Sequence, residues 1–554
     1  MSWIPRISIG IGLLYGASGA HGASFQPVAG RLKQISVGFD GATWGLNSNG
    51  QIYRWNAGNF GWDWVPGTLA QIAVGSSAAV WGVNANGEIY RWDAGANGWD
   101  QIPGTLSQVA VGCDGDAWGL NPSGQIYHYA QQSQRWVNIA GQLAQISAGF
   151  DGAVWGIDGS HAIWRLNPVA MRFEAIAGTL TSIAVGADGD VWGLNGTSVY
   201  HFNRLRQGWE TLPGALEQIS VGSGANVWGL DEEGQAYQFS PTWFDWVAVP
   251  GAFAQIAAGR NGAVWGIDGA GNISQSMQTP APVGTFHQSA GALAQVAAAP
   301  DGNVWGLDGD GDIFTFDALR QDWIRVEGNL AQIAVGLGGD AWGLNTAGQI
   351  FHFNVAAQTW DWIPGELTRL SLGASSDVWG LNTANQIYRF NAGSGSWTWI
   401  PGTLTQISVG ADGDVWGVNG ANVLYRFDEA TGTWNAIPES SFSAVAVGAE
   451  SNVWVFNSFD NIYSFNPATL SWDAIAGREI RVSAIEAGFD GAAWAMDVNG
   501  FPYRFDSQVQ DFVYEYTFVD ERGFSTSGIT SLAVGSDAVV WGVNAFSGIV
   551  YQYW

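Results

Sequence analysis

Two columns of polar side chains recur at fixed distances from a tryptophan in this 554-residue chain, and they are its candidates for chemistry. The first is acidic. Four residues before the tryptophan stand Asp40, Asp114, Asp151, Asp188, Asp301, Asp412, Asp490 and Asp537, with Glu450 in one copy. Most precede a glycine, and Asp-Gly in a tight turn has a local explanation: the carboxylate accepts from nearby backbone amides while glycine takes a positive φ. The other use of such carboxylates is to accept hydrogen bonds from sugar hydroxyls. Calcium is a weaker third reading, because it needs several converging oxygens and the pattern supplies one per turn. The second column is basic. Arg54, Arg91, Arg165, Arg389, Arg426 and Arg504 share one register downstream of the tryptophan, and His128, His201 and His352 occupy it in other copies. Two readings stand: an Arg-Asp bridge tying one repeat to the next, or a charged pair holding a sugar through directed hydrogen bonds.

A third group is aromatic. Downstream of the basic column lie Trp62, Trp64, Trp99, Trp136, Trp209, Trp323, Trp360, Trp362, Trp397, Trp399, Trp434 and Trp472. Such rings either pad neighbouring units or, left exposed beside polar groups, suit the apolar face of a sugar or a methylated hydroxyl; Trp62, Trp99, Trp397 and Trp399 are taken as candidates. Catalysis finds little support. The histidines show no metal-ligand spacing, no Gly-x-Ser-x-Gly elbow is present, and a recurring acid is not a pair of differently tuned carboxylates. The expectation is no enzyme, no metal and no cofactor.

The elements that position these columns follow from the tryptophans themselves. Trp44, Trp81, Trp118, Trp155, Trp192, Trp228, Trp265, Trp305, Trp342, Trp379, Trp416, Trp454, Trp494 and Trp541 mark fourteen copies, mostly 37 residues apart. A constant period of this size means a repeat architecture. Within one copy the alternation of Leu69 to Val74, Val80 to Asn84, Ile89 to Trp92 and Trp99 to Ile102, separated by turn residues and stopped by Pro103-Gly104, reads as four short strands. Four strands in this length make a propeller blade, so the fold class is all-β, a β-propeller. Period-2 alternation puts the basic column opposite the face of Tyr53 and Trp55.

The ends indicate how such a structure closes. Phe25 to Gly30 matches only a fourth strand, and Val550 to Trp554 only a third. The seventh copy ends in a Pro-rich insertion, Thr279 to Gly284, three residues longer than usual. Since rings usually have about 4 to 8 blades, the expectation is two seven-bladed propellers, 23–280 and 281–554, closed by Phe25 to Gly30 and by Thr285 to Gly291. The interval from Trp494 to Trp541 is ten residues over period, around Val513 to Arg522. That stretch is read either as a surface excursion or as a lip that contacts a partner.

Composition bounds the setting. With 20 Lys+Arg against 48 Asp+Glu the formal charge is −28, which repels phosphate backbones, so nucleic acid and anionic membranes are poor partners. Cys113 is alone, so packing and not a disulfide framework must stabilise the fold. Residues 1–22 run basic, apolar, then small, the order of a secretory signal, and no later apolar run reaches membrane-spanning length. The mature chain is expected to be soluble and extracellular.

The repeat, typified by Gly402-Thr-Leu-Thr-Gln-Ile-Ser-Val-Gly-Ala-Asp-Gly-Asp-Val-Trp-Gly-Val-Asn419, then Leu424 to Phe427 and a Trp-x-x-Ile-Pro-Gly strand, resembles the tectonin family across essentially the whole mature chain. The resemblance implies β-propeller lectins of innate defence that bind lipopolysaccharide, N-acetylglucosamine or O-methylated glycans without a catalytic centre. Known members commonly form six-bladed rings from six repeats, and fourteen copies depart from that. Copies with Ser77, Gly224, Asn261, Gly338 or Ser375 at the acid position depart too, so binding need not be uniform. A secreted multivalent lectin is therefore expected, many weak sites gaining avidity on a repetitive surface. A non-catalytic protein-binding scaffold is the alternative. Quinone-dependent dehydrogenase propellers, also rich in tryptophan, require unique cofactor residues that the repeat does not display.

Overall fold

The computed structural model describes residues 24–553 except 113–114, 132, 150–152, 169, 277–285, 300, 374–376, 411, 438–440, 449–451, 468, 476–479, 489–491, 507–508, 516–527 and 537–538. The expected signal segment and most of the long stretch after repeat 13 fall outside these residues. The described chain is all-β: fourteen four-stranded antiparallel sheets and one short 3-10 turn, Leu337–Gly339. Twelve sheets are built from consecutive strands. The other two borrow a strand from a distance: Phe25–Arg31 pairs with Asn272–Ser276, and Phe286–Ala292 pairs with Ile549–Tyr553. The last fourth strand before the long stretch, Asp511–Tyr514, includes Val513 and Tyr514, so the irregular stretch starts later than the sequence indicated.

Repeat 2 shows why each strand forms. Gln71–Ser76 alternates, burying Ile72 and Val74; Ala79–Val83 is buried throughout; Ile89–Asp93 is partly covered; Gly98–Ile102 lies largely outside. The second strand is enclosed on both faces, which explains the glycine after twelve of the fourteen marker tryptophans. A Cβ on Gly82 would collide with Leu69 Cδ1 and lie 3.0 Å from the carbonyl oxygen of Gln71. The Pro-Gly step that ends the fourth strand breaks the register with a bulge between Gln51 and Ile52, and Gly67 there adopts φ +121 with Trp99 of the next repeat 3.7 Å from where its Cβ would be.

Neighbouring sheets are joined by two devices. Twelve of the fourteen marker tryptophans meet an aromatic from the next repeat's third strand: Trp44 with Trp92 at 5.1 Å, Trp192 with Phe239 at 5.0 Å, Trp379 with Phe427 at 5.0 Å. The same contact links Trp265 of repeat 7 to Trp55 of repeat 1 at 4.8 Å, and Trp541 of repeat 14 to Phe316 of repeat 8 at 4.7 Å. The second device is a glutamine on the first strand. Gln71 donates from Nε2 to the Val109 carbonyl at 2.9 Å and accepts from the Val109 amide at 2.8 Å. A side-chain amide thus stands in for the missing partner of an inner-strand edge, satisfying groups that would otherwise be left unpaired. Gln255 does the same for Ile35, 220 residues away, at 3.1 and 3.0 Å.

The first and second halves of the chain also touch. Leu205 packs against the core of repeats 8 and 9, while Leu319 is fully buried in the core of repeats 5 and 6. Both leucines sit in Leu-Arg-Gln turns, and polar bonds flank them: Arg204 Nη1 donates to the Gly302 carbonyl at 2.7 Å, Gln358 Nε2 to the Leu205 carbonyl at 3.0 Å.

Candidate functional site

The turn acids are occupied by backbone. Asp40 accepts from the Ala42 amide at 3.0 Å with Oδ1 and from Ser77 of the next repeat at 2.8 Å with Oδ2. Asp188 binds the amides of Asp190 and Gly224, and Asp301 those of Asn303 and Gly338, in the same two-armed manner. Ser77, Gly224 and Gly338 stand at the acid position in copies that lack the acid, and each donates its amide to the acid of the preceding copy. The column therefore staples turn to turn. Asp412 accepts from the Asp414 amide at 3.1 Å. Asp114, Asp151 and Asp490 lie outside the described residues.

The basic column lies over the marker tryptophans. Guanidinium carbons stand 5.6 Å from the Trp44 ring for Arg54, 5.9 Å from Trp81 for Arg91, 5.6 Å from Trp155 for Arg165, 5.1 Å from Trp379 for Arg389 and 5.3 Å from Trp416 for Arg426. The histidines take the same place, with His128 stacked on Trp118 at 4.5 Å.

Five of the nine basic residues pair with an acid two residues before the tryptophan, not four. Arg426 Nε donates to Asp414 at 2.8 Å, and the other oxygen of Asp414 accepts from Trp416 Nε1 at 2.8 Å. Asp377 likewise joins Arg389 to Trp379, Asp340 joins His352 to Trp342, and Asp190 joins His201 to Trp192. Where this position is asparagine, as in Asn226 and Asn452, the amide oxygen accepts from the tryptophan and the amide nitrogen donates to a carbonyl of the next sheet, with no cation present. Where it is alanine, at Ala42, Ala79, Ala153 and Ala492, the arginine above lacks this acid, and Arg504 above Ala492 pairs with Glu515 at 3.0 Å. Arg54 then has no ion pair among the described residues and stands between the Trp44 and Trp92 rings; Arg91 reaches a half-exposed Asp100 at 3.4 Å; Arg165 donates to Gln207 at 2.9 Å.

Burial tunes these pairs differently. Asp190 and His201 are both buried, 2.8 Å apart. Burial pushes the Asp190 carboxyl upward, but the charge and hydrogen bond of His201 outweigh it and hold Asp190 below the usual carboxylate range. Neighbouring Asp188 is raised by burial and by the Asp190 charge. Burial opposes the charge on Arg389, yet its bonds to Glu429 and Asp377 keep its pKa above the ordinary value.

A further polar strip runs beside the cations. Across the outer strand pair Arg54 faces Asp63, Arg165 faces Glu174 and His352 faces Asp361. In these three repeats the asparagine that ends the third strand secures the carboxylate: Asn56 to Asp63 at 2.9 Å, Asn167 to Glu174 at 3.1 Å and Asn354 to Asp361 at 2.9 Å. In repeats 1, 4 and 9 cation, amide and carboxylate thus share one partly exposed groove, a set able to donate to and accept from hydroxyl groups.

The outer tryptophans divide. Trp62 packs on Trp265 at 5.4 Å, Trp99 on Trp44 at 5.8 Å and Trp397 on Trp342 at 6.2 Å, their ring nitrogens buried without a partner. These three are spacers between sheets. Trp399, with Trp64 and Trp362, stays about half exposed, at 52, 55 and 56 %. No group of three metal-ligating side chains is present among the described residues, and no helix is long and apolar enough to cross a membrane.

No curated protein sequence matches the chain. Among solved structures it is similar to one described as the extracellular domain of a one-component system, BT4673, from B. thetaiotaomicron, at 12 % identity and TM-score 0.38, covering 96 % of this chain and 82 % of that one. It is also similar to PorZ, a surface component of the type-IX secretion system of Porphyromonas gingivalis, at 12 % identity and TM-score 0.35, covering 95 % and 86 %. The Tectonin domain model matches in six overlapping regions, 14–129, 58–207, 94–244, 179–357, 254–437 and 352–511. Those matches span the repeats from the first marker tryptophan to the thirteenth: the chain belongs to the tectonin family.

Proposed function

We propose that this protein is a secreted, multivalent carbohydrate-binding protein that recognises microbial or O-methylated surface glycans in defence. Its architecture is two seven-bladed propellers, 23–280 and 281–554, released after removal of a signal segment at 1–22. The contacts that return from repeat 7 to repeat 1 and from repeat 14 to repeat 8 support this division, as do the two borrowed strands. The observation that carries the functional reading is the repeated groove in which an arginine without its inner acid stands beside a fixed carboxylate and asparagine, as with Arg54, Asn56 and Asp63. Arginine and carboxylate together satisfy both the acceptor and donor sides of vicinal hydroxyls. In copies where Asp377 or Asp414 already neutralises the cation, the groove contributes structure, so binding is carried by repeats 1 and 4 and, with Asp93 in the asparagine's place, by repeat 2. Rigid weak sites on one body gain avidity on a repetitive surface. A glycan array probed with the mature chain tests this: binding to at least one microbial or O-methylated glycan is expected, and binding to none would refute it.

A further inference from the structure

A cleft of about 630 Å³ lies between the two halves of the chain, within the usual size range of small-ligand sites, and both halves wall it. On one side are Arg165, Asn167 and Glu174 of repeat 4; on the other are His352, Asn354 and Asp361 of repeat 9. These are the same three positions of the repeat, so two copies of the polar groove face each other. Gly338 stands where other copies carry the turn acid, and the position of a Cβ there lies at contact distance, 3.7 Å, from Arg165 Nη2 of the other half.

The unused valences in the cleft are complementary. Arg165 spends Nη1 on Gln207 at 2.9 Å. Glu174 receives Asn167 and Arg172 on Oε1, and Asp361 receives Asn354 on Oδ2. Glu174 Oε2 and Asp361 Oδ1 have no partner among the described residues. Donor and acceptors thus line one space, Arg165 and Glu174 on one wall and Asp361 on the other. An anion would meet Glu174 and Asp361 and a cation would meet Arg165, whereas a neutral polyhydroxylated ligand can donate to the carboxylates and accept from the guanidinium.

We propose that this cleft is a composite saccharide site, one per chain, completed only when both halves are in place. It rests on the reading of the protein as carbohydrate-binding, but it is a site that the repeat alone does not generate. Ala356 is an exposed residue on the cleft wall, so Ala356→Trp fills the space without touching the core. The mature chain is titrated calorimetrically with N,N′-diacetylchitobiose and with 3-O-methylmannose, and melting is recorded in parallel. With the sugar that binds, Ala356→Trp is expected to lose one site per chain at unchanged melting temperature, and Arg165→Ala to weaken one site at least tenfold, while Arg54→Ala leaves that site intact. Binding by the wild type that Ala356→Trp leaves unchanged in number and affinity overturns the cleft alone. Uptake of neither sugar by the wild type overturns the cleft, and a blank glycan array would then overturn the wider reading as well.

Discussion

Asp190 is where the pairing of cation, acid and tryptophan is most deeply enclosed, so its removal measures that pairing best. Asp190→Ala strands Trp192 Nε1 and His201 Nε2, which now bind it at 2.7 and 2.8 Å, and both rings are buried. An unsatisfied buried donor costs about 1–3 kcal/mol, and breaking a buried ion pair by removing one partner costs about 3–5 kcal/mol. The expected loss is therefore about 3–5 kcal/mol. At about 2 °C per kcal/mol for a unit of this size, that is a fall of roughly 6–10 °C in Tm. The double variant Asp190→Asn, His201→Gln reproduces the Asn226 and Gln238 combination that repeat 6 already uses, and should recover more than half of the loss. Because Asp190 is held below the usual carboxylate range, its contribution is fully present above the unfolded value near about 4 and is lost as pH falls through the lower folded value. Differential scanning calorimetry at pH 6 reads both variants. A single-variant loss below about 1 kcal/mol, or a double variant no more stable than Asp190→Ala, would refute the reasoning.

Two further outcomes follow from the same contacts. Glu486 occupies the first-strand position at which other repeats carry serine or alanine, and burial raises its carboxyl to about 7. A raised carboxyl stays protonated in the fold, so stability is lost as pH rises toward 7. Glu486→Ser should thus raise Tm at pH 8, by a gain of at most about 3 kcal/mol, and change it little at pH 4; equal melting at both pH values would contradict this. Asp40→Ala removes the staple between the turns of repeats 1 and 2. It should cost about 1–2 kcal/mol in calorimetry without altering glycan binding, and lost binding at unchanged stability would reassign the turn acid to the ligand.

The architecture was legible because it is written in apolar periodicity: a marker tryptophan every 37 residues or so, alternating strands, and an orphan strand such as Phe25 to Gly30 whose only match is the strand repeat 7 lacks. The partner of the basic column is legible in the sequence as a covariation between two positions of the repeat. Asp116, Asp190, Asp340, Asp377 and Asp414 each occur in a copy with His or Arg in the basic column, whereas Asn226, Asn303 and Asn452 occur with Gln238, Thr315 and Ser464. The turn acid drew attention because Asp-Gly is a familiar turn signal, and it proved to be bound by amides. The glutamine ladder could not be seen, since Gln71 alternates like any surface polar residue and its partner is a backbone group in the next sheet. Nor could the exposure of the outer tryptophans. Trp62 and Trp64 point to the same side of one strand by parity, yet the first is pinned beneath Trp55 and Trp265 and the second is half exposed.

The central claim is that the basic column splits into cations spent on structure and cations left open for a ligand. Two double variants compared side by side test it: Arg54→Ala with Arg91→Ala, and Arg389→Ala with Arg426→Ala. Each is assayed for melting and for binding to the best glycan on the array. The account predicts that the first pair loses binding at least tenfold with little change in Tm, and that the second loses several degrees of Tm and keeps its binding. Equal loss of binding in both pairs, or loss of stability alone in the first, would contradict it.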